Sequence, residues 1–486
     1  MNIARNFLAT AARRPSATFL VGPDDAPHSY ADVLSRARRF ASLLAGRGVA
    51  PGDRVVLTFP NSVDYVCAYL GTHLLGATVA LVDYRSLPAH LDFVRRDLAA
   101  RLWISPAERP DYAGVPGHLV FPPDLDSYSE LPEERLCPSG DAPALVMYTS
   151  GTTGTPKGVE LSHDNLQHTV HSIARWAEIG SDERELTTLS LTHLFGLAHL
   201  HVHWTLGGTV IIEESLRDVN RVLERMVRWK ATSFPGTPAG MAILLDRFPG
   251  AFRQAAASLR YIIVNSAPMD PAITARLLSL LPSVRCYMYY GLTEASRSTF
   301  IHYNAHPDRL ATVGRATPGT EIRVGSAERP LVDEPGEILI RGPHVTRGYW
   351  GLDPAPFFDD GWLRTGDLGV LSPDGFLTWV GRVKEQINVD GLKISPGEVE
   401  EALRQHPDVA DCAVVGAPDP LTGQTVVGFV VLRSDAQQRR EADLRRFCKP
   451  RLELYKIPRR IRFVSEIPRT DTGKVKRLAL LELESS

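Results

Sequence analysis

Between Tyr148 and Gly158 the chain reads YTSGTTGTPKG. Thr149, Ser150, Thr152, Thr153 and Thr155 are set among Gly151, Gly154 and Gly158, with one cation, Lys157. Glycines let a backbone curl until several N–H groups point at one anion. The hydroxyls add donors and the lysine adds a point charge. This is the chemistry of a loop around a polyphosphate. It is not a Walker A loop, which needs Gly-x4-Gly-Lys followed by Ser or Thr. Here Lys157 follows Pro156 and precedes Gly158.

Such a loop has to be carried by something rigid. The apolar run Ala144–Tyr148 before it reads as a buried strand. Upstream, Tyr30–Leu44 has helical period, Arg54–Phe59 reads as a strand, Asn61–Leu75 as a helix and Thr78–Val82 as a strand. Short apolar strands alternating with helices predict parallel βαβ units with helices on both faces. Residues 105–140, rich in Pro, Asp and Glu, read as a surface excursion. After the loop, a helix is expected over His163–Ala177 and strands at Thr209–Ile212, Leu259–Val264 and Arg285–Tyr290. Ligands of open parallel sheets sit at the carboxyl ends of strands. The polar segments at His193, Asn265–Pro268 and Gly291–Glu294 are therefore candidates for one pocket. From about residue 310 the strands shorten and Gly, Pro and Asp become frequent, which predicts an antiparallel region. A boundary is expected near Gly381–Glu385, giving domains 1–383 and 384–486.

The 486 residues carry 54 Lys+Arg against 56 Asp+Glu, a formal charge of −2, so nothing calls for nucleic acid or an anionic membrane as partner. No apolar run approaches the roughly 18–20 residues of a membrane span, so no integral membrane segment is expected. Five widely spaced cysteines form no CxxC pair, which argues against a zinc site and for a reducing compartment, the cytoplasm. The N-terminus bears Arg5, Arg13 and Arg14 with no acidic residue before Asp24, a faint likeness to a transit peptide. Ile3, Phe7, Leu8 and Ala11 at helical spacing, closed by Pro15, read instead as an amphipathic first helix.

The Thr/Gly stretch resembles the phosphate loop of the adenylate-forming superfamily, which contains acyl-CoA synthetases, luciferases and the adenylation domains of peptide synthetases. Further stretches resemble it in the family's order. Tyr290-Gly291-Leu-Thr293-Glu294-Ala is similar to the motif whose Tyr stacks on adenine, whose Thr meets the α-phosphate and whose Glu helps hold Mg²⁺. An aromatic face suits a purine, and a carboxylate suits a hard cation. Ser266, Ala267 and Pro268 fall where the family lines the adenine pocket. Thr365-Gly-Asp367 resembles the ribose motif, with Arg382 as a second ribose or phosphate contact. Lys384 stands at the family's hinge position, and Gly391 resembles the glycine that lets a pantetheine arm pass. Thr472-Gly-Lys474 resembles the motif of the catalytic lysine, a cation that would neutralise charge developing during adenylation. His193 matches the acyl-site position. His199, His201 and His203 follow at alternate positions; no Cys or carboxylate cluster in the sequence joins them, so an element lining the acyl pocket is expected rather than a metal site.

The resemblance implies an α/β fold: a large N-terminal domain of parallel, doubly wound subdomains with a small antiparallel region, then a small mobile α+β domain. It implies a ligase that turns ATP·Mg²⁺ and a carboxylic acid into an acyl-adenylate and pyrophosphate, then passes the acyl group to coenzyme A. Loading of a carrier-protein pantetheine arm is the runner-up, and a non-catalytic nucleotide-binding protein is the alternative of another class. No carboxylate follows His193 to pair with an α-amine, which disfavours amino acids. Phe195, Leu197, Trp204, Phe234, Pro235 and Met241 suit a fatty or aryl acid, though core packing would use the same residues.

Overall fold

The computed structural model describes residues 1–86, 88–107, 117–122, 124–138, 140–149, 156–267, 269–389, 392–419, 423–433, 440–452, 454–470 and 473–485. The chain divides into two compact units: Met1–Ile322 with Ile340–Leu363, and Arg323–Leu339 with Arg364–Ser486.

The first unit contains two sheets. One is built from β1 (Thr18–Val21), β2 (Pro27–Ser29), β9 (Arg184–Thr187), β10 (Thr209–Ile212), β11 (Ser233–Gly236), β12 (Tyr261–Val264), β13 (Arg285–Tyr290), β14 (Thr299–His302) and β15 (Arg315–Ala316). Its order is β15-β14-β13-β12-β11-β9-β10-β1-β2. The centre, from β13 through β1, is parallel, and antiparallel strands close both edges. The other sheet takes β3 (Arg54–Leu57), β4 (Thr78–Leu81), β5 (Leu102–Ser105), β6 (His118–Val120), β7 (Leu145–Thr149) and β8 (Lys157–Leu161) in the order β6-β5-β3-β4-β7-β8, with only β7–β8 antiparallel. Central strands such as β12, Tyr-Ile-Ile-Val, are buried at every position. That explains why they read as continuous apolar runs rather than as alternations.

Helices α1 (Ala4–Arg13), α2 (Tyr30–Gly46), α3 (Val63–Leu75), α4 (Pro88–Asp97), α5 (His163–Trp176) and α6 (Leu194–Leu206) connect or cover the strands. Their starts follow local chemistry. Ser29 and Ser162 form capping boxes with Asp32 and Asn165, and Ser62 caps α3 by accepting from the Tyr65 N–H. The amphipathic first helix forms as expected, burying Ala4, Phe7 and Ala11. α3 and α6 are buried almost all round, as helices enclosed by other elements must be.

One expectation fails. Residues 105–140 are not simply a surface excursion: β6 extends the sheet, and Leu119, Phe121, Leu125 and Leu131 lie in the core. Their apolar residues are spaced irregularly among Pro and Asp, so no period announces their burial.

The second unit holds the hairpin of β19 (Trp362–Leu371) and β20 (Leu377–Arg382), from Arg364 onward, and a sheet of β21 (Ile387–Val389), β22 (Leu392–Ile394), β23 (Val409–Asp419), β24 (Gly423–Leu432) and β25 (Arg460–Phe463). Helices Pro396–Arg404, Glu441–Cys448 and Arg477–Ser485 accompany it. Both faces of β23 and β24 are buried. Cys412, Val414, Val426 and Val430 join one cluster, while Ala413, Val415, Val427 and Phe429 join another. Side chains alternate across a strand, so a strand apolar at consecutive positions feeds two cores.

Candidate functional site

The hairpin of β7 and β8 positions the first charges. Thr149 ends β7 and pairs with Lys157, which opens β8. Ser150, Gly151, Thr152, Thr153, Gly154 and Thr155 lie outside the described residues. The Lys157 ammonium lies 4.6 Å from the Phe357 ring centroid and 5.7 Å from that of Tyr349. Tyr349 in turn donates its hydroxyl to Glu294 Oε1 at 2.8 Å. Backbone bonds fix this arrangement: Trp350 N–H to Gly158 O, Glu160 N–H to Gly348 O, and Thr346 N–H to Glu294 O. One strap, residues 346–350, therefore ties Lys157 to Glu294. Among the described residues neither forms an ion pair. The sequence reading passed over Tyr349 and Phe357; the only signal was an aromatic pair after Arg347-Gly348.

The carboxyl ends of β12 and β13 lie side by side in the nine-stranded sheet. After β12 come Asn265, Ser266 in a left-handed backbone (φ 90°) and Ala267; Pro268 lies outside the described residues. Tyr290 is buried at the end of β13. Gly291 must be glycine: a Cβ there would sit 2.5 Å from Arg297 N and 2.9 Å from Ala295 O. The turn closes by reciprocal backbone bonds between Leu292 and Ala295, leaving Thr293 and Glu294 half-buried at its bend. The residues that could hold a metal are thus half-exposed hard oxygen donors, with Glu294 foremost.

His193 occupies the N-cap position of α6 and is exposed. The other histidines divide between two faces of the helix. His199 Nδ1 meets Glu185 Oε2 at 2.8 Å and His203 Nε2 meets the same oxygen at 3.2 Å, an i, i+4 pair on one face. On the opposite face His201 bonds the Tyr69 hydroxyl at 3.0 Å and packs against Trp204. A carboxylate does join two of them, which corrects the sequence expectation: Glu185 comes from β9, and only the packing of α6 on the sheet brings it there. Burial pushes the Glu185 carboxyl up, but the two imidazoles outweigh it and hold the group down at about 2. Burial depresses His199. Among the described residues no group of three or more His, Cys, Asp and Glu could hold a metal ion. Leu197, Trp204, Phe234 and Met241 are fully buried, with Leu197 and Trp204 in the main core; of the six apolar residues named for the acyl pocket, Phe195 is half-buried.

In the second unit, Asp367 of β19 stands opposite Arg382 of β20, and Arg382 Nε and Asp367 Oδ1 form an ion pair at 2.7 Å. Asp367 is buried. Thr365 orders the motif by donating to Ile338 O at 2.7 Å and accepting from the Asp367 N–H at 3.0 Å. Lys384 belongs to the short 3₁₀ turn Val383–Glu385 that follows β20; its side chain lies outside the described residues, as does Gly391. Thr472 is likewise outside them. Lys474 is exposed on a turn where Thr470 N–H reaches Lys474 O, Lys474 N–H reaches Thr470 Oγ1, and Gly473 takes φ 84°. Several other cations of this tail are engaged: Lys456 with Glu398, Arg459 with Asp419, Arg469 with Asp411, and Arg477 with both Glu385 and Glu400.

A parallel-sheet unit with charged turns at its strand ends, followed by an α+β unit with a lysine on an exposed turn, is the build of an adenylate-forming enzyme. The chain belongs to the AMP-binding enzyme family: residues 7–350 match that family, and residues 398–474 match the AMP-binding enzyme C-terminal domain. It is similar to the sulfoacetate–CoA ligase of Cupriavidus necator, with 34% identity over 97% of this chain and 96% of that protein. Its fold matches ATP-bound MatB from Rhodopseudomonas palustris at a TM-score of 0.90, with 27% identity over 100% of this chain and 99% of the other. It also matches the o-succinylbenzoate CoA synthetase of Bacillus subtilis in complex with its acyl-adenylate, at a TM-score of 0.88 and 27% identity over 98% and 97% of the two chains. The protein is an AMP-forming acid–thiol ligase of the acyl-CoA synthetase kind. Among the described residues, no helix is long and apolar enough to cross a membrane.

Proposed function

We propose that the first unit binds Mg·ATP at the turns around Lys157 and Glu294, and that a carboxylic acid is activated beside His193. A carboxylate oxygen attacks the α-phosphorus, the α–β P–O bond breaks and pyrophosphate leaves. The sulfur of coenzyme A then attacks the acyl carbon, the C–O bond to AMP breaks and the thioester forms. The observation that carries this reading is the Lys157–Tyr349–Glu294 strap, which holds a cation and a carboxylate close together without letting them neutralise each other. Thr149, Lys157 and the Thr/Gly segment would receive phosphates, Tyr290 the adenine, and Asp367 with Arg382 the ribose hydroxyls. The Glu294 carboxylate suits a hard cation, and magnesium bound there would supply neutralisation of phosphate charge. Residues 384–486 would turn about Lys384 between the two half-reactions, bringing Lys474 to the first and the Gly391 segment to the second.

The acid is proposed to be a fatty or aryl acid, a reading supported by relatives named as a long-chain-fatty-acid–CoA ligase and a feruloyl-CoA synthase. A carrier-protein arm is the alternative acceptor. All five cysteines are free and buried, which supports a reducing compartment, the cytoplasm. An ATP–pyrophosphate exchange panel of acids, with and without coenzyme A, tests the reading. Acid-dependent exchange with thioester and AMP formed on adding coenzyme A is the expected result. Exchange without thioester would favour a carrier protein.

A further inference from the structure

Asn165, the third residue of α5, is buried, and its side-chain amide is bonded on every side. Oδ1 accepts from the Ser162 N–H at 2.8 Å and from the Ser162 hydroxyl at 2.9 Å, which completes the capping box. Nδ2 donates to Pro343 O at 2.7 Å and to Val345 O at 3.0 Å, across 178 and 180 residues of chain. An amide offers two donors and one oxygen with two lone pairs, so the capacity of this one is used up and its orientation is fixed. The two carbonyls flank His344 and lead directly into the strap of residues 346–350.

The cap alone does not call for an asparagine. In the more exposed box of α2 the same position is Asp32, whose Oδ2 accepts from the Ser29 N–H and hydroxyl in the same way. A carboxylate suits a helix N-terminus, because it meets the positive end of the dipole. At residue 165 a carboxylate would face two carbonyl oxygens with nothing to donate. The amide nitrogen therefore serves the 343–345 segment rather than the helix. The Glu294 turn grips that segment from its other side. Val345 bridges to Ala295, and Thr346 N–H donates to Glu294 O. The His344 ring meets Ser298 Oγ at 2.9 Å, and that hydroxyl donates to Ala295 O at 3.0 Å. Further along, Tyr349 bridges to Val159 of β8, two residues from Lys157. Asn165 itself lies four residues past the end of β8. The amide thus closes a circuit from β8 through the start of α5 to the strap and back to β8.

We propose that Asn165 is a positioning residue for adenylation: by holding the Pro343 and Val345 carbonyls it sets the strap, and through Tyr349 it keeps Lys157 and Glu294 apart for Mg·ATP. The proposal rests on the adenylation reading above and adds to it a residue that touches no substrate. Without the two donors the strap is free to slacken. Lys157 and Glu294 then have a route to each other as an ion pair, and a metal ion has to compete with a lysine for the carboxylate.

ATP binding to the intact protein without acid, titrated against magnesium, tests it. Asn165→Asp keeps the acceptor for the cap and removes both donors to the strap. It is expected to raise half-saturating magnesium about tenfold, with the KM for the acid in pyrophosphate exchange changed by less than about twofold. Asn165→Ser, which removes the donors without adding a charge, should shift the requirement in the same direction. Ser29→Ala deletes the equivalent cap of α2 and should lower the melting temperature without moving the magnesium requirement. Asn165→Asp combined with Tyr349→Phe should shift it no further than Asn165→Asp alone, because both act through one strap. If neither Asn165 variant folds, amide exchange in the native protein decides: the Thr346 and Trp350 N–H groups should be protected without nucleotide, and rapid exchange there overturns the proposal. A folded Asn165→Asp protein with an unaltered magnesium requirement, or a shift that adds in full to that of Tyr349→Phe, also overturns it and leaves adenylation standing. Native protein that binds no Mg·ATP counts against the adenylation reading itself.

Discussion

Glu294 and Asp367 are both carboxylates within three residues of a glycine, yet the protein treats them in opposite ways. Within the first unit, Glu294 is half-buried and accepts from the Tyr349 phenol, while Lys157 is held on aromatic faces, that of Tyr349 among them. Within the second unit, Asp367 is fully buried and already carries Arg382 at 2.7 Å. A carboxylate that must accept a metal ion cannot first be neutralised by a lysine, because breaking a good ion pair costs what the ion would gain. A carboxylate that must orient two neutral hydroxyls gains from a fixed cation, which keeps it ionised and still. The difference separates a group kept available from a group kept rigid.

The largest effect expected from breaking this arrangement comes from a third charge, Lys474, exposed on its turn. Lys474→Ala should slow adenylate formation a hundred- to a thousandfold, since a lost contact to developing charge costs about 3–4 kcal/mol. A pre-made acyl-adenylate should still yield thioester. Lys384→Pro, which fixes φ in the turn after β20, should do the reverse. Parallel loss of both steps in both variants would end the rotation account. Single-turnover assays of each half-reaction read this out.

Asp367→Ala should raise the KM for ATP roughly ten- to a hundredfold, because a buried hydrogen bond to a charged group is worth about 1.5–3 kcal/mol and Arg382 loses its partner. Glu294→Gln keeps the shape and removes the charge. Its signature should be a raised requirement for magnesium with an unaltered melting curve, and unchanged exchange kinetics would remove Glu294 from the site. Tyr349→Phe sharpens the contrast further. It deletes one neutral hydroxyl and keeps the ring under Lys157, so half-saturating magnesium should shift by only about fivefold, for a hydrogen bond worth about 1 kcal/mol.

A last expectation concerns stability and the first unit alone. Burial holds His201 and His344 neutral down to about 3 and His163 to about 4, against 6.5 in an exposed histidine. The unfolded chain therefore binds more protons than the folded one below about pH 6.5. Their contribution is complete above that pH and is lost as pH falls toward 4, by about 1.4 kcal/mol per pH unit for each histidine that protonates only on unfolding. Urea titrations between pH 7 and 4.5 should show a falling midpoint, and a flat profile would contradict the burial.

Much of the fold was legible in the sequence. Buried parallel strands announce themselves as short apolar runs, and helices such as α2 and α5 by their period and serine caps. The stretch 105–140 was not, because its buried residues follow no period. The stretches Thr149–Lys157, Gly291–Glu294 and Thr365–Asp367 were visible because glycines and hydroxyls cluster there with a charged residue within a few positions. The partners of those charges were not visible. Tyr349 lies 55 residues from Glu294, and Glu185 reaches His199 only because α6 packs one face on the sheet.

The sequence by itself therefore determined the local chemistry: a donor-rich loop after a buried strand, a glycine where a turn admits no Cβ, alternation that feeds one core or two. Those are properties of neighbouring residues and of backbone sterics. Only the tertiary structure decided which charges are paired, parked on aromatic rings or buried short of a partner, as is the Nε of Arg297. Such choices depend on which distant elements pack together and on how much water they exclude, and burial raises the cost of every polar group left without a partner.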